Sequence, residues 1–123
     1  MHYTATAHII SETAADFLRK LTDGTIENQK PDGNEIVASM NRAVIDDEGV
    51  VRWSEVCYCP IPLQHERATV YDQHFADIKS EEVNGYVEFE GKPLMERLQE
   101  IAEVDYQLKI CFAAKCLAVF QKD

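Results

Sequence analysis

Positive charge is scarce in this chain: Lys and Arg number 12 against 22 Asp and Glu, a formal charge of −10 over 123 residues. Nucleic-acid binding runs on cations that displace counterions from phosphates, so this balance predicts no direct binding to DNA or RNA. Long apolar runs are missing too. The longest, Ile110 to Ala114 and Cys116 to Phe120, hold five residues each, far below the ~20 that span a bilayer, so no membrane segment is expected. Only 5 Gly and 4 Pro are present, which excludes collagen-like and linker-like chains. The opening MHYTATAHIISE has neither a basic n-region nor an apolar h-region, so no export signal is expected. The expected location is therefore the cytoplasm, with the cysteines as reduced thiols. The glycine-rich nucleotide loops, H-E-x-x-H, G-x-S-x-G and the EF-hand loop are all absent. An enzyme is accordingly not the first expectation.

What remains is an ordinary globular composition, 46% hydrophobic and 28% charged, of a size that builds one core without staples. No repeat or linker divides it, so residues 1–123 are read as a single α+β domain. The expected sheet is mixed or antiparallel, with two to three helices packed on one face and a ferredoxin-like layout as first choice. Tyr3 to Ile10 alternates like a half-buried strand. Ser11 and Thr13 offer caps to a helix with Ala14, Phe17, Leu18 and Leu21 inward, closed by Asp23-Gly24. Thr25 to Gly33 reads as a polar loop, and Ile36, Val37, Met40, Ala43 and Val44 as a second helix. After the turn Asp46 to Gly49, Val50 to Cys59 reads as a strand with Trp53 in the core.

Residues 63–84 are ambiguous: either two strands, Ala68 to Tyr71 and Phe75 to Val83, or a helix over Gln64 to Phe75. Asn84-Gly85 signals a hairpin leading into a strand from Tyr86 to Glu90. Pro93 takes the first position of a helix carrying Leu94, Leu98, Ile101 and Ala102. Tyr106 to Phe120 fits period 2 and reads as strand with a break near 113–115.

Two constellations could carry function. The first is acidic: from Asp77 to Asp105 nine acids face only Lys79, Lys92 and Arg97. Period 2 groups Glu88 with Glu90, and helical spacing groups Glu96, Glu100 and Glu103. These five are the expected partner-binding face for another protein with a basic surface. The leading functional reading follows from it: a small acidic intracellular protein that acts by macromolecular binding. At its limit, such a face occupies the nucleic-acid site of a target as an acidic inhibitor. Homo-oligomerisation stays open. The second constellation is Cys57, Cys59, His65 and His74, residue types suited to zinc or thiol chemistry. Their spacing departs from the usual paired knuckles, so no resident metal or cofactor is expected. A thiol- or metal-dependent small enzyme using the Cys57–His74 segment is the alternative.

Overall fold

The computed structural model describes residues 1–113. Alternation sets the first strand, β1 (His2–Ile9): Tyr3, Ala5 and Ala7 point into the core, while Thr4 and Thr6 stay half-buried on the other face. A single 3-10 turn, Ser11–Thr13, leads into α1 (Ala14–Thr22), which buries Ala14, Phe17 and Leu21. Thr13 makes no side-chain cap; its hydroxyl bonds back to the Ile10 carbonyl at 3.3 Å. The loop to α2 (Gly33–Arg42) is less polar than expected, because Ile26 turns inward. Ala43 and Val44 do not continue that helix: the chain extends at Ala43 into β2 (Val44–Ile45).

β3 (Val50–Val56) buries Val51, Trp53 and Glu55 on the face where β1 buries Tyr3, Ala5 and Ala7. The strand stops before the two cysteines rather than after them, and the Cys57 N–H goes to the Met1 carbonyl at 2.9 Å. Residues 64–74 are helical. α3 (Gln64–Glu66) runs through a π turn, Arg67–Tyr71, into α4 (Asp72–His74), so the strand alternative for Ala68 to Tyr71 falls. β4 (Phe75–Val83) follows as read. β5 (Lys92–Pro93) and α5 (Leu94–Ala113) complete the described chain.

All pairings are antiparallel, in the order β4-β1-β3-β2-β5. From β1 to β4 the elements run β-α-β-β-α-β, with two helices in the first crossover. One core unites the layers: the inward residues of β1 and β3 meet Phe17, Ile36, Met40, Tyr71, Phe75, Leu94 and Leu98. At its centre the Trp53 ring lies 5.1 Å from both Tyr71 and Phe75.

Two expectations are corrected here. Asn84-Gly85 opens no hairpin, and Tyr86 to Glu90 is not a strand. β4 and β5 occupy opposite edges of the sheet, four gaps or roughly 19 Å apart, so the chain between them must cross beneath the sheet. It does so in contact with alternate residues of the outer face. Tyr86 meets His2 edge-to-face, the Val87 N–H and carbonyl both bond the Ser54 hydroxyl at 3.0 Å, and Gly91 abuts Val44. Residues 106–113 are helix rather than strand. No Gly or Pro lies between Leu94 and Ala113, so nothing interrupts the helix over that stretch, and each further residue there adds a hydrogen bond to a nucleus already formed. The part of that strand expectation beyond residue 113 lies outside the described residues.

Candidate functional site

The segment after β3 makes the site. Cys57 is buried and Cys59 half-buried, and both face Glu66 in α3. The Cys57 thiol lies 3.6 Å and the Cys59 thiol 3.4 Å from one oxygen, Glu66 Oε1. The Cys59 N–H donates to Cys57 Sγ at 3.3 Å. Glu66 is 1% exposed, and among the described residues no Lys, Arg or His pairs with it. A helical Glu is ordinarily solvated. The following π turn accounts for this one: its wider winding brings Glu66, Val70 and Tyr71, at i, i+4 and i+5, to one buried face. Leu63, buried just ahead of α3 with φ 59°, bends the chain so that the helix starts against the core. A side chain in this left-handed region costs about 1–2 kcal/mol.

The two thiols and Glu66 form the floor of a cleft of about 470 Å³. Pro31 and Asp32 just ahead of α2, with Glu35 in its first turn, form one wall, and Val56, Tyr58 and Tyr86 the rest. Glu35 is held by the Val56 N–H at 2.8 Å, the Tyr86 hydroxyl at 2.9 Å and Arg42 at 3.5 Å. Asp32 holds His65 Nδ1 at 2.6 Å, which fixes the ring and leaves Nε2 for another partner. Thr69 donates to the His65 carbonyl at 2.7 Å, and Gln29 links Thr69 to Asp32. Among the described residues no Lys, Arg or His lines the cleft.

A second buried carboxyl lies behind this floor. Glu55 Oε1 accepts from Trp53 Nε1–H at 2.6 Å and from the Tyr71 hydroxyl at 2.7 Å, while Oε2 has no partner. Burial pushes its pKa up to about 8 against those two hydrogen bonds, with Glu66 and Glu35 adding to the rise. Burial above all also pushes the Cys57 thiol up to about 12. Cys57 is therefore a neutral thiol at pH 7 and not a free nucleophile.

Of the four residues singled out in the Cys57–His74 segment, the structure brings Cys57 and Cys59 together and sets His65 beside the cleft on Asp32. His74 goes elsewhere: it stacks on Phe17 at 4.3 Å and bonds Thr13 at 2.9 Å, and burial lowers its pKa to about 4. Glu66, Asp32 and Glu35 were not candidates from the sequence, where an acid in a polar stretch carries no sign of burial. The acidic set divides as well. Glu88, Glu90, Glu96 and Glu103 are exposed, but Glu100 is claimed by Lys92 at 2.6 Å and Arg97 at 3.1 Å. No helix among the described residues is long and apolar enough to cross a membrane. Comparison with family models, with curated proteins and with solved structures finds no match.

Proposed function

We propose that the protein is a small enzyme that activates water on an uncharged or cationic small molecule in this cleft. Cys57, Cys59 and Glu66 form its reactive centre, and the Asp32–His65 pair handles protons. The observation that carries the reading is the convergence of two thiols on one buried carboxylate oxygen at the floor of an open cleft. Such an arrangement strands polar groups out of water, and a fold has no need of it for packing. Asp32, Glu35 and Glu66 repel an anion, and among the described residues no cation in the lining receives one. His65, oriented through Nδ1 by Asp32, leaves Nε2 to accept a proton.

The test is release of nitrophenol from p-nitrophenyl acetate, an uncharged ester, by the wild type and by Cys59→Ser, Glu66→Gln and His65→Ala. Each variant should lose at least about tenfold in rate. Equal rates in all four proteins, matched to a heat-denatured control, would end this reading. A second reading keeps the acidic surface as a docking face for a basic protein. It rests on Glu88, Glu90, Glu96 and Glu103, which have no ion-pair partner among the described residues. Replacing these four with Gln should slow association with such a partner and flatten its salt dependence while the fold survives.

A further inference from the structure

We infer that Cys57, Cys59 and Glu66 are three protein ligands of a zinc-class divalent cation whose fourth position opens into the cleft. The inference rests on the reading of the cleft as the reactive site and names the group that makes it reactive.

Distance is the first argument. Ligands of a tetrahedral zinc, with sulfur ~2.3 Å and carboxylate oxygen ~2.0–2.2 Å from the metal, stand about 3.5–3.7 Å from one another across an S···O edge. The two S···O separations here are 3.6 and 3.4 Å to the same oxygen, and all three donor atoms lie within 4.8 Å of one another. Both S···O edges thus match a coordination tetrahedron, and the S···S edge, within 4.8 Å, needs to close only toward about 3.8 Å.

The donor set then selects the metal. Magnesium and calcium take oxygen ligands, whereas two thiolates favour zinc and its soft neighbours. Charge points the same way. Glu66 is buried with no cationic partner among the described residues, and burying a carboxylate without a countercharge is costly. A dication supplies that countercharge. On binding, both thiols release their protons to solvent and the two sulfurs bond the metal, so the four-component centre carries a net charge of −1 with no redox change. The Cys59 N–H already donates to Cys57 Sγ at 3.3 Å, the kind of outer contact that orients a metal-bound thiolate. His65 and His74 are not among the donor atoms that converge here, which come from Cys57, Cys59 and Glu66, and His74 lies against Phe17 and Thr13. Three protein ligands beside a cleft leave room for water, the pattern of catalytic rather than structural zinc.

Cobalt(II), which reports coordination by its absorption, is the probe. Titrated into metal-stripped protein, it should give the intense visible bands of a tetrahedral site together with thiolate-to-cobalt charge transfer, saturating at one ion per chain. Zinc should displace it. Glu66→Gln should weaken zinc at least about tenfold in competition with a chromophoric chelator, and Cys59→Ser should reduce the charge-transfer band. Glu81→Gln, exposed on β4 away from the cleft, should leave zinc affinity unchanged. If Cys57→Ser fails to fold, Glu66→Gln and Cys59→Ser still decide the matter. A weak octahedral spectrum, or equal zinc affinity in wild type and Glu66→Gln, overturns the inference. Ester turnover that persists in chelator and still needs Cys59 and Glu66 removes the metal while leaving the enzyme reading standing. Tight tetrahedral binding with no effect of those residues on turnover does the reverse.

Discussion

Glu55 accepts two hydrogen bonds on one oxygen and none on the other, the pattern of a protonated acid whose carbonyl oxygen does the accepting. The folded state holds a proton up to about pH 8 that the unfolded chain, near the ordinary 4.5, has already released. Its contribution to stability is therefore complete below pH 4.5 and falls by about 1.4 kcal/mol per pH unit as pH rises through 8. Glu55→Gln keeps the shape and removes the titration. Urea denaturation from pH 5 to 9 should show the wild type losing stability relative to the variant across that range; parallel curves would mean that Glu55 ionises normally. Gly33 offers a purely steric prediction. A Cβ there would collide with the Ile26 carbonyl oxygen, a backbone atom that cannot step aside. Gly33→Ala should cost roughly 3 kcal/mol or more, in the range of severe overpacking, read as a fall in melting temperature.

At the level of elements, β3 has an edge problem and α2 solves it. β2 pairs only with Val51 and Arg52, so Ser54 and Val56 would present bare backbone groups. Arg42 donates to the Ser54 carbonyl at 3.0 Å, and Glu35 accepts the Val56 N–H at 2.8 Å. A side-chain cover of this kind also blocks pairing with a second chain. Glu35→Ala should speed hydrogen exchange at the Val56 amide at least about tenfold, equivalent to 1–2 kcal/mol of lost protection, while Val51 exchanges as before. Uniform acceleration along the strand would show that Glu35 supports the whole sheet instead.

Elements also differ in how far the sequence disclosed them. β1 and the core half of β3 were plain, because each has one wet face and alternation records it. The crossing segment 84–91 was not, since its course is dictated by where β4 and β5 lie and not by its own residues. The helical 106–113 stretch was masked by a chance alternation of Tyr106, Leu108, Ile110 and Phe112. The cleft was half legible. Cys57 and Cys59 announced themselves by type, whereas Glu66 became visible only with the π turn that rotates it inward.

For the molecule as a whole, His74 opposes Glu55. Its pKa falls from 6.5 to about 4 in the folded state, so its contribution is present above pH 6.5 and is lost as pH falls toward 4, roughly 3 kcal/mol over that interval. Between pH 4.5 and 6.5 the two slopes cancel. Below pH 4 the paired surface acids Asp16, Asp23, Asp46 and Glu100, all lowered by hydrogen bonds to their partners, give up their contribution as well. The stability curve should therefore be flat from about pH 4.5 to 6.5 and fall on both sides. A maximum at pH 8, measured by chemical denaturation, would contradict the burial of Glu55, and a maximum at pH 4 that of His74.

The position of β1 has a consequence for synthesis on the ribosome. This strand is translated before both of its neighbours, β3 and β4, and Ile9 pairs with Phe75, 66 residues downstream. At about 5–20 residues per second, its second neighbour follows roughly 3–13 seconds later. Until then the nascent chain holds a strand with at least one edge open, and the sheet cannot close over Tyr3, Ala5 and Ala7. The fold is thus completed late and nearly at once, and the early chain is the state on which a ribosome-associated chaperone would act.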